Sequence, residues 1–282
     1  MTTILAHLSD LHLLEPGHVA RSRSDRLRLA YLSFGRPLDA QARRERVRRA
    51  LFAARTADHL VVTGDLTEDG TDAQLEALAE VLIEHGPVPE RVTIVPGNHD
   101  AYTVGGAFER ALDGPLRPYA ETSRPGSYVE LDGAVVVAAS SAVHQPVSRS
   151  AGSVDSAQVA ALGDAAADRG WLAGRALVVA LHHPPLGHAL GVANWVDGLA
   201  EAGAMRAMLD AHPHVHVLHG HAHRERDRAV ASGRAPQTLG AAAVVDSDEP
   251  LRLYAAGGGC VVPIERGRSE PLTSILAVAP AA

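Results

Sequence analysis

The stretch Pro96-Gly97-Asn98-His99-Asp100 decides how this chain folds. It directly follows residues 91–95, an apolar, β-branched run that predicts a short buried strand. The Pro-Gly pair then turns the chain and delivers an amide, an imidazole and a carboxylate at successive positions. Unpaired polar groups at the end of a buried strand cost free energy. The pattern therefore indicates a site where these groups bind something.

Other predicted strands end in the same way. Strand 4–8 leads into Ser9-Asp10-Leu11-His12, strand 59–63 into Gly64-Asp65, strand 176–181 into His182-His183-Pro184-Pro185, and strand 214–218 into His219-Gly220-His221-Ala222-His223. Helical apolar spacing between strands, clearest over 72–84, predicts βαβ units with parallel strands. The carboxyl ends of parallel strands share one edge of a sheet, where ligands bind. Asp10 and His12, two residues apart in an extended segment, are expected to point the same way.

Composition excludes several classes of function. The 282 residues include 26 basic and 33 acidic side chains, a net charge of −7 that disfavours a general binder of nucleic acids or anionic membranes. The single cysteine, Cys260, excludes an internal disulfide and fits a reducing compartment. No apolar run reaches the length of a membrane span, and residues 1–8 lack the features of a signal peptide. We therefore predict a cytoplasmic protein.

The strand ends together supply oxygen and nitrogen donors without a thiolate. The predicted metal ligands are Asp10, His12, Asp65, Asn98, His182, His221 and His223. Such a mixed set suits first-row ions such as Mn, Fe, Co or Zn. Seven ligands suit two ions about 3.5–4 Å apart that share one carboxylate, the arrangement used for phosphoester displacement.

The motifs D-x-H, G-D, G-N-H-D, H-H-P-P and G-H-x-H occur in this order from Ser9 to about Arg224, each after a predicted strand. In this they resemble the calcineurin-like metallophosphoesterase superfamily. The resemblance implies an α/β fold, a four-layer αββα sandwich of two mixed β-sheets with a dinuclear metal site at the carboxyl ends of the strands. We expect a single domain over residues 1–282, with a tail at 267–282.

The resemblance also implies roles for individual residues. One ion would bind Asp10, His12, Asp65 and His223, and the other would bind Asp65 as the bridge with Asn98, His182 and His221. His182 is preferred to His183 because the family's ligand is followed by one residue and then proline. A hydroxide bridging the two ions would attack phosphorus in line. His99 would stabilise the phosphoryl charge or protonate the leaving oxygen, and Asp100 would orient His99.

The substrate is less constrained. A Ser/Thr protein phosphatase would have Asp-Arg-Gly after Gly64-Asp65, whereas this chain has Leu66-Thr67-Glu68-Asp69-Gly70. The H-H-P-P form and Trp195-Val196-Asp197 resemble the bacterial class III cyclic-nucleotide and glycerophosphodiester phosphodiesterase branch, which predicts a phosphodiesterase acting on a cyclic nucleotide or a similar small phosphodiester. The alternative is a UDP-2,3-diacylglucosamine pyrophosphohydrolase of lipid A synthesis, because segment 21–49 resembles a segment of those enzymes. A catalytically silent scaffold is a further alternative.

Segment 21–49 carries ten arginines. A charge run of this kind is usually a solvated helix face, which we expect around 39–57. The functional alternative is a lid or cap whose arginines grip a phosphate-bearing substrate.

The sequence predicts a small-molecule phosphoester as the partner and no nucleic acid. It leaves open which metals bind and whether the protein is a homodimer.

Overall fold

The computed structural model describes residues 1–188 and 191–265, so the predicted tail at 267–282 lies outside the described residues. The helices are α1 (Arg23–Ser33), α2 (Ala40–Ala54), α3 (Asp72–His85), α4 (Ala107–Asp113), α5 (Ala120–Ser123), α6 (Ser156–Ala167), α7 (Arg169–Leu172), α8 (Gly191–Asp197) and α9 (Ala202–Ala211). The strands are β1 (Thr3–Leu8), β2 (His59–Thr63), β3 (Val92–Val95), β4 (Tyr128–Glu130), β5 (Ala134–Ala138), β6 (Ala176–Ala180), β7 (Val215–His219), β8 (Arg226–Arg228), β9 (Thr238–Gly240), β10 (Arg252–Gly257) and β11 (Cys260–Pro263).

The strands form two mixed sheets. The first has the order β11-β10-β1-β2-β3, in which β1, β2 and β3 are parallel and β10 and β11 pair antiparallel. The second has the order β4-β5-β6-β7-β9-β8, with β5, β6, β7 and β9 parallel and β4 and β8 antiparallel at the two edges. The predicted α/β fold with two mixed sheets is confirmed.

Alternation along the strands explains the layers. In β2, Leu60 and Val62 pack with α2 and α3 on the outside, whereas Val61 faces the second sheet. In β6, Leu177 and Val179 pack with α6 and α9, whereas Val178 faces the first sheet. Each sheet is thus covered on both faces, which is why its strands are continuous apolar runs. The result is the predicted four-layer αββα sandwich.

The parallel strands place their carboxyl ends at one edge of the sandwich. The chain leaves β1, β2 and β3 into the first three polar motifs, and leaves β6 and β7 into the histidine motifs. The two sheets therefore supply the predicted ligands from opposite sides of one site.

Within the described part of the chain, no helix is long and apolar enough to cross a membrane.

Two parts of the chain differ from the sequence-based expectation. Residues 101–127 are rich in Gly, Pro and charged side chains, which favours irregular structure, yet they contain α4 and α5. The sequence predicts antiparallel strands near 238–245, 251–255 and 260–264, yet β9 pairs parallel to β7 and antiparallel to the short β8. The segment Arg226-Asp227-Arg228 has no apolar alternation, so its sequence does not predict a strand.

We expect Leu5→Ala to lower the free energy of unfolding by about 2–5 kcal/mol, because the side chain is fully buried between the sheets and would leave a cavity. Urea denaturation measures the loss. Leu27→Ala is the matched control, since Leu27 is 64% exposed on α1 and its truncation should change stability by no more than about 0.5 kcal/mol. Equal losses in the two variants would contradict the described core.

Candidate metal centre

Four predicted ligands from both sheets form a first group of donors. The donor atoms of Asp10, His12, Asp65 and His223 all lie within 4.8 Å of one another. His12 Nε2 lies 3.3 Å from His223 Nε2 and 3.7 Å from Asp65 Oδ2, and His223 Nε2 lies 3.4 Å from Asp10 Oδ1. These are the residues that the sequence assigned to one ion.

A second group lies on the other side of the Asp65 carboxylate. Asn98 Oδ1 is 3.1 Å from His182 Nε2 and 3.1 Å from His221 Nδ1. His182 Nε2 also lies 3.4 Å from Asp65 Oδ1. Asp65 therefore faces the first group with Oδ2 and the second with Oδ1, the position required of a shared ligand.

Three of the imidazoles are held from outside by oxygen acceptors. Because a carbonyl or a carboxylate accepts, the ring nitrogen facing it carries a proton, and the other nitrogen is directed into the site. The contacts are His182 Nδ1 to the Thr63 carbonyl at 2.8 Å, His221 Nε2 to Asp197 Oδ1 at 2.9 Å, and His223 Nδ1 to Asp246 Oδ2 at 2.6 Å.

The backbone at this edge is unusually strained. Seven described residues other than glycine have positive φ, and five of them are predicted ligands: Asp10, His12, Asp65, His221 and His223. A non-glycine residue in this region costs about 1–3 kcal/mol and persists where the surrounding structure enforces it, often at functional sites. The backbone is thus bent to aim these side chains, which ordinary packing does not require.

Two glycines allow the motifs to pack this closely. A Cβ at Gly97 would collide with the backbone nitrogen and Oδ1 of Asp65, and a Cβ at Gly220 would collide with Ser9 Oγ. Side chains at either position would displace a predicted ligand or its neighbour. The glycines of the G-N-H-D and G-H-x-H motifs are therefore needed for close backbone approach.

The donor set fits metal ions. Burial raises the pKa of Asp65, but His182, His99 and His12 outweigh it and hold that pKa well below its usual range. Burial lowers the pKa of His182, yet chiefly the Asp65 carboxylate raises it to about 9. Burial likewise lowers the pKa of His223, while Asp10 and Asp246 raise it to about 10. In the absence of metal these imidazoles thus carry protons in the place of cations. Buried carboxylates with convergent ring nitrogens and no thiolate suit borderline first-row ions.

His99 lies beside this centre, with its side chain 13% exposed. Its Nε2 is 4.0 Å from Asp65 Oδ2, and its ring packs edge-on against His12 with the centroids 4.5 Å apart. His99 Nδ1 donates to the Glu68 carbonyl at 2.6 Å. That contact orients the ring and leaves Nε2 facing the shared carboxylate.

The hydrogen-bond partners of the Asp100 carboxylate are groups other than the His99 ring that we expected it to orient. The buried carboxylate of Asp100 accepts from the backbone N–H groups of Leu66, Thr67 and Gly97 and from the Thr67 hydroxyl at 2.7–3.0 Å. The tight turn after β3 carries the Asp100 side chain back toward the loop after Asp65. Asp100 therefore fixes the two ligand-bearing loops against each other.

His183 has partners unlike those of its neighbour His182. Its Nδ1 lies 2.8 Å from Ser141 Oγ, and its Nε2 donates to the Ser150 carbonyl at 2.7 Å. Both ring nitrogens are thus engaged away from the Asp65 carboxylate, and burial lowers the pKa of this imidazole well below its usual value. A donor atom of His183 nevertheless lies within 4.8 Å of donor atoms of His182 and His221, so the choice of His182 as the ligand stays a prediction. The His183 ring packs against that of His221.

The arginines of segment 21–49 reach acidic groups below the site. Arg36 and Arg43 pair with the buried carboxylate of Glu68, Arg43 at very short range, and Arg21 and Arg28 pair with the buried carboxylate of Asp69. The expected solvated face is correct for Arg44, Arg48 and Arg49 and wrong for Arg43, which is 3% exposed. The four inward guanidiniums have carboxylate partners and are not available to grip a phosphate.

Glu68 connects this arginine network to the centre. Its Oε2 lies 3.4 Å from His12 Nδ1, and Arg43 also donates to the His12 carbonyl at 2.8 Å. Glu68, His12 and His99 offer a third cluster of donors within 4.8 Å. We assign it a positioning role, because the Glu68 carboxylate is already paired with two arginines.

The carboxylates that support the predicted ligands, Glu68, Asp197 and Asp246, are not evident from the sequence motifs. Glu68 had a usable signal, since the acidic pair Glu68-Asp69 follows Gly64-Asp65, with two residues between them, in a chain that also has an arginine-rich segment. Asp197 was noted only as part of a motif-like segment. Asp246 follows β9 in a loop whose sequence carries no comparable signal. Contacts across the fold, rather than local pattern, define these residues.

The calcineurin-like phosphoesterase family model matches residues 4–225, so the chain belongs to this family, whose chemistry is metal-dependent hydrolysis of phosphoesters. No curated protein matches the chain. Among solved structures it is similar to TT1561 of Thermus thermophilus, with 10% sequence identity, a TM-score of 0.52, and coverage of 94% of this chain and 99% of that chain. At this identity the likeness shows a shared fold.

We expect metal binding to release protons. His182 and His223 hold protons up to about pH 9 and pH 10 in the metal-free protein, and a metal must displace them. Calorimetric titration with MnCl₂ at pH 7, in buffers of different ionisation enthalpy, should show about two protons released on full loading, and affinity should rise from pH 6 to pH 9. A binding enthalpy independent of the buffer would contradict this assignment.

We expect Arg43→Gln to lower the free energy of unfolding by about 3–5 kcal/mol, because it leaves the buried Glu68 carboxylate without one partner. Metal affinity of the folded variant should also fall by about 10–100-fold through the loss of support for His12. Arg44→Gln is the matched control one residue away: Arg44 pairs with the exposed Glu80 and Glu84, a contact worth about 1 kcal/mol or less. If the two variants bind metal with similar affinity, the proposed role of Arg43 and Glu68 in positioning His12 is wrong.

Proposed function

We propose that this protein is a dimetal phosphodiesterase acting on a cyclic nucleotide or a similar small phosphodiester. One observation carries the proposal: the two oxygens of the Asp65 carboxylate face two separate groups of donors. Asp10, His12, Asp65 and His223 give four ligands to one ion. The same Asp65 with Asn98, His182 and His221 gives four to the other, so seven residues serve both. Such a shared carboxylate is typical of paired ions in phosphoester displacement.

The ions, when bound, supply Lewis acidity and an activated water. The chain's own residues position the reactants. The acceptors behind His182, His221 and His223 hold each ring so that one nitrogen is directed inward. His99, partly exposed and held by the Glu68 carbonyl, presents Nε2 toward the Asp65 carboxylate. When protonated, Nε2 donates to a phosphoryl or leaving-group oxygen, either stabilising its charge or transferring the proton.

The charges near Asp65 favour a diester over a monoester. A monoester carries a second negative charge on the reacting phosphate, which further cationic groups at the metals would stabilise. Next to the Asp65 carboxylate itself, His99, when protonated, is a cationic group outside the predicted ligand set, and the inward arginines of segment 21–49 are paired with Glu68 and Asp69. A diester, with a single charge on the reacting phosphate, suits this arrangement.

A second candidate, a UDP-diacylglucosamine-type pyrophosphohydrolase, has one observation in its favour. Helix α1 exposes apolar side chains, with Leu27 at 64%, Tyr31 at 56% and Phe34 just beyond its end at 90%. Exposed apolar groups on a segment near the centre are suited to contact an acyl chain. This candidate shares the dimetal site and differs in the substrate.

A matrix of metals and substrates tests the proposal. Metal-free protein is supplied with Mn, Fe, Co or Zn, and turnover is compared on bis(4-nitrophenyl) phosphate, 4-nitrophenyl phosphate, cyclic AMP and a UDP-linked lipid. We expect kcat/KM to be at least about tenfold higher for the diester than for the monoester with one or more of the ions. Cleavage of the UDP-lipid alone would favour the second candidate. Absence of turnover with two metals bound would favour the catalytically silent scaffold.

We expect His99→Ala to lower kcat by about 100-fold or more and to leave the metal content unchanged, because His99 lies beside the donors and acts on the phosphate. Elemental analysis and steady-state kinetics measure the two effects. His85→Ala, at the end of α3 and away from the strand ends, is the control and should retain activity. Loss of metal together with activity in His99→Ala would instead make His99 part of the ligand set.

A further inference from the structure

A cavity of about 260 Å³ lies beside the predicted ligand His221. The loop after β6 forms one wall, with His188. The other wall is formed by Arg224, two residues before β8, and by Arg226 and Arg228 of β8. His221 also lines the cavity, so the cavity and the metal centre share a side chain. A ligand in this space therefore lies next to the reacting phosphate of the proposed function.

The guanidiniums in this cavity differ from those of segment 21–49. Within residues 1–188 and 191–265, no carboxylate forms an ion pair with Arg224, Arg226 or Arg228. Arg228 donates a long hydrogen bond of 3.4 Å to the Gly187 carbonyl. Burial, together with the like charges of Arg226 and Arg206, lowers the pKa of Arg228. Glu225 and Asp227 alternate with these arginines along the chain, but both pair with Arg252 and neither lines the cavity. The arginines are therefore the basic groups that the cavity offers to an anion.

The acidic residue among the lining side chains does not neutralise these arginines. Asp197 Oδ1 is 2.9 Å from His221 Nε2 and accepts from the Ser150 hydroxyl at 2.6 Å. Asp197 Oδ2 lies 3.7 Å from His188 Nε2. The Asp197 carboxylate is therefore engaged with imidazoles and a hydroxyl on the side of the metal centre.

Unpaired arginines in a cavity have a recognisable use. Arg224 and Arg226 are exposed and Arg228 is half-buried, so their guanidiniums are free to bind an anion that enters the cavity from solvent. The planar guanidinium offers parallel N–H donors that match the oxygens of a phosphate, which makes arginine the usual residue for phosphate recognition.

We infer that this cavity, with Arg224, Arg226 and Arg228 on one wall and His221 shared with the metal centre, binds a second phosphate of the substrate beside the scissile phosphodiester. The inference rests on the proposed function for the scissile bond and narrows its substrate class. The substrate is a phosphodiester that carries a further phosphate, as in a dinucleotide or a diphosphate-linked compound. Cyclic AMP, with one phosphate, would leave the arginines without a ligand.

The test compares two chromogenic diesters that differ by one phosphate. These are thymidine 5′-(4-nitrophenyl phosphate) with a free 3′-hydroxyl, and the same compound with a 3′-phosphate. For the metal-loaded wild type we expect kcat/KM to be about tenfold higher with the 3′-phosphate, since one charged hydrogen-bonded contact is worth about that factor. Arg228→Gln, alone and combined with Arg224→Gln, should bring the ratio of the two kcat/KM values close to one. Arg234→Gln, an exposed arginine paired with Asp210, is the matched control and should keep the wild-type ratio.

Equal kcat/KM values in the wild type, or an equal loss on both substrates in the variants, would overturn the inference. If neither diester is turned over, the proposed function fails. Calorimetry then tests separately whether the cavity binds a second phosphate. Thymidine 3′,5′-bisphosphate and thymidine 5′-diphosphate are then each compared with thymidine 5′-phosphate on metal-loaded protein. Tighter binding of either bisphosphorylated probe that is lost in Arg228→Gln supports the second phosphate site. Equal binding of all three nucleotides rejects it.

Discussion

The buried carboxylate of Asp65 is the group on which the rest of the site depends. It follows β2 in the first sheet, yet its Oδ1 lies 3.4 Å from His182, which follows β6 in the second sheet. Its Oδ1 also accepts from the backbone N–H of His99 at 2.9 Å, which fixes the turn after β3. A buried charge is costly unless it is surrounded by partners. The strand ends of both sheets therefore converge on this one carboxylate.

Support for the centre extends outward through a layer of further carboxylates. Asp197 and Asp246 hold imidazoles that face the site, and Glu68 lies against His12. Glu68 is itself buried and needs cations, which the arginine-rich segment supplies. The high arginine content of segment 21–49 in a chain of net charge −7 thus has a structural cause below the site. Helices α1 and α2 help to hold the ligands even though they contribute none.

Most of the fold and the donor set followed from local patterns. Apolar runs of strand length, separated by helical spacing, predicted the parallel cores of both sheets, and the polar groups after them predicted which side chains meet. Local patterns did not predict the side-chain contacts between distant segments. Arg43 has the sequence context of a solvated helix residue, and its partner Glu68 is 25 residues away. Asp100 adjoins His99 in sequence, but the direction of its side chain depends on a turn that carries it to Leu66 and Thr67.

The strained backbone and the outer acceptors have a joint consequence for metal binding. Five predicted ligands already have left-handed backbone conformations in the folded chain, and three imidazoles are already held from behind. Ligand geometry is therefore set by folding, and the strain is offset by the packing of the two sheets. What remains to change on metal binding is chiefly protonation, because His182 and His223 carry protons that substitute for the metal charge. In this protein the fold supplies the arrangement of the donors, and the proton concentration controls how readily they accept a metal.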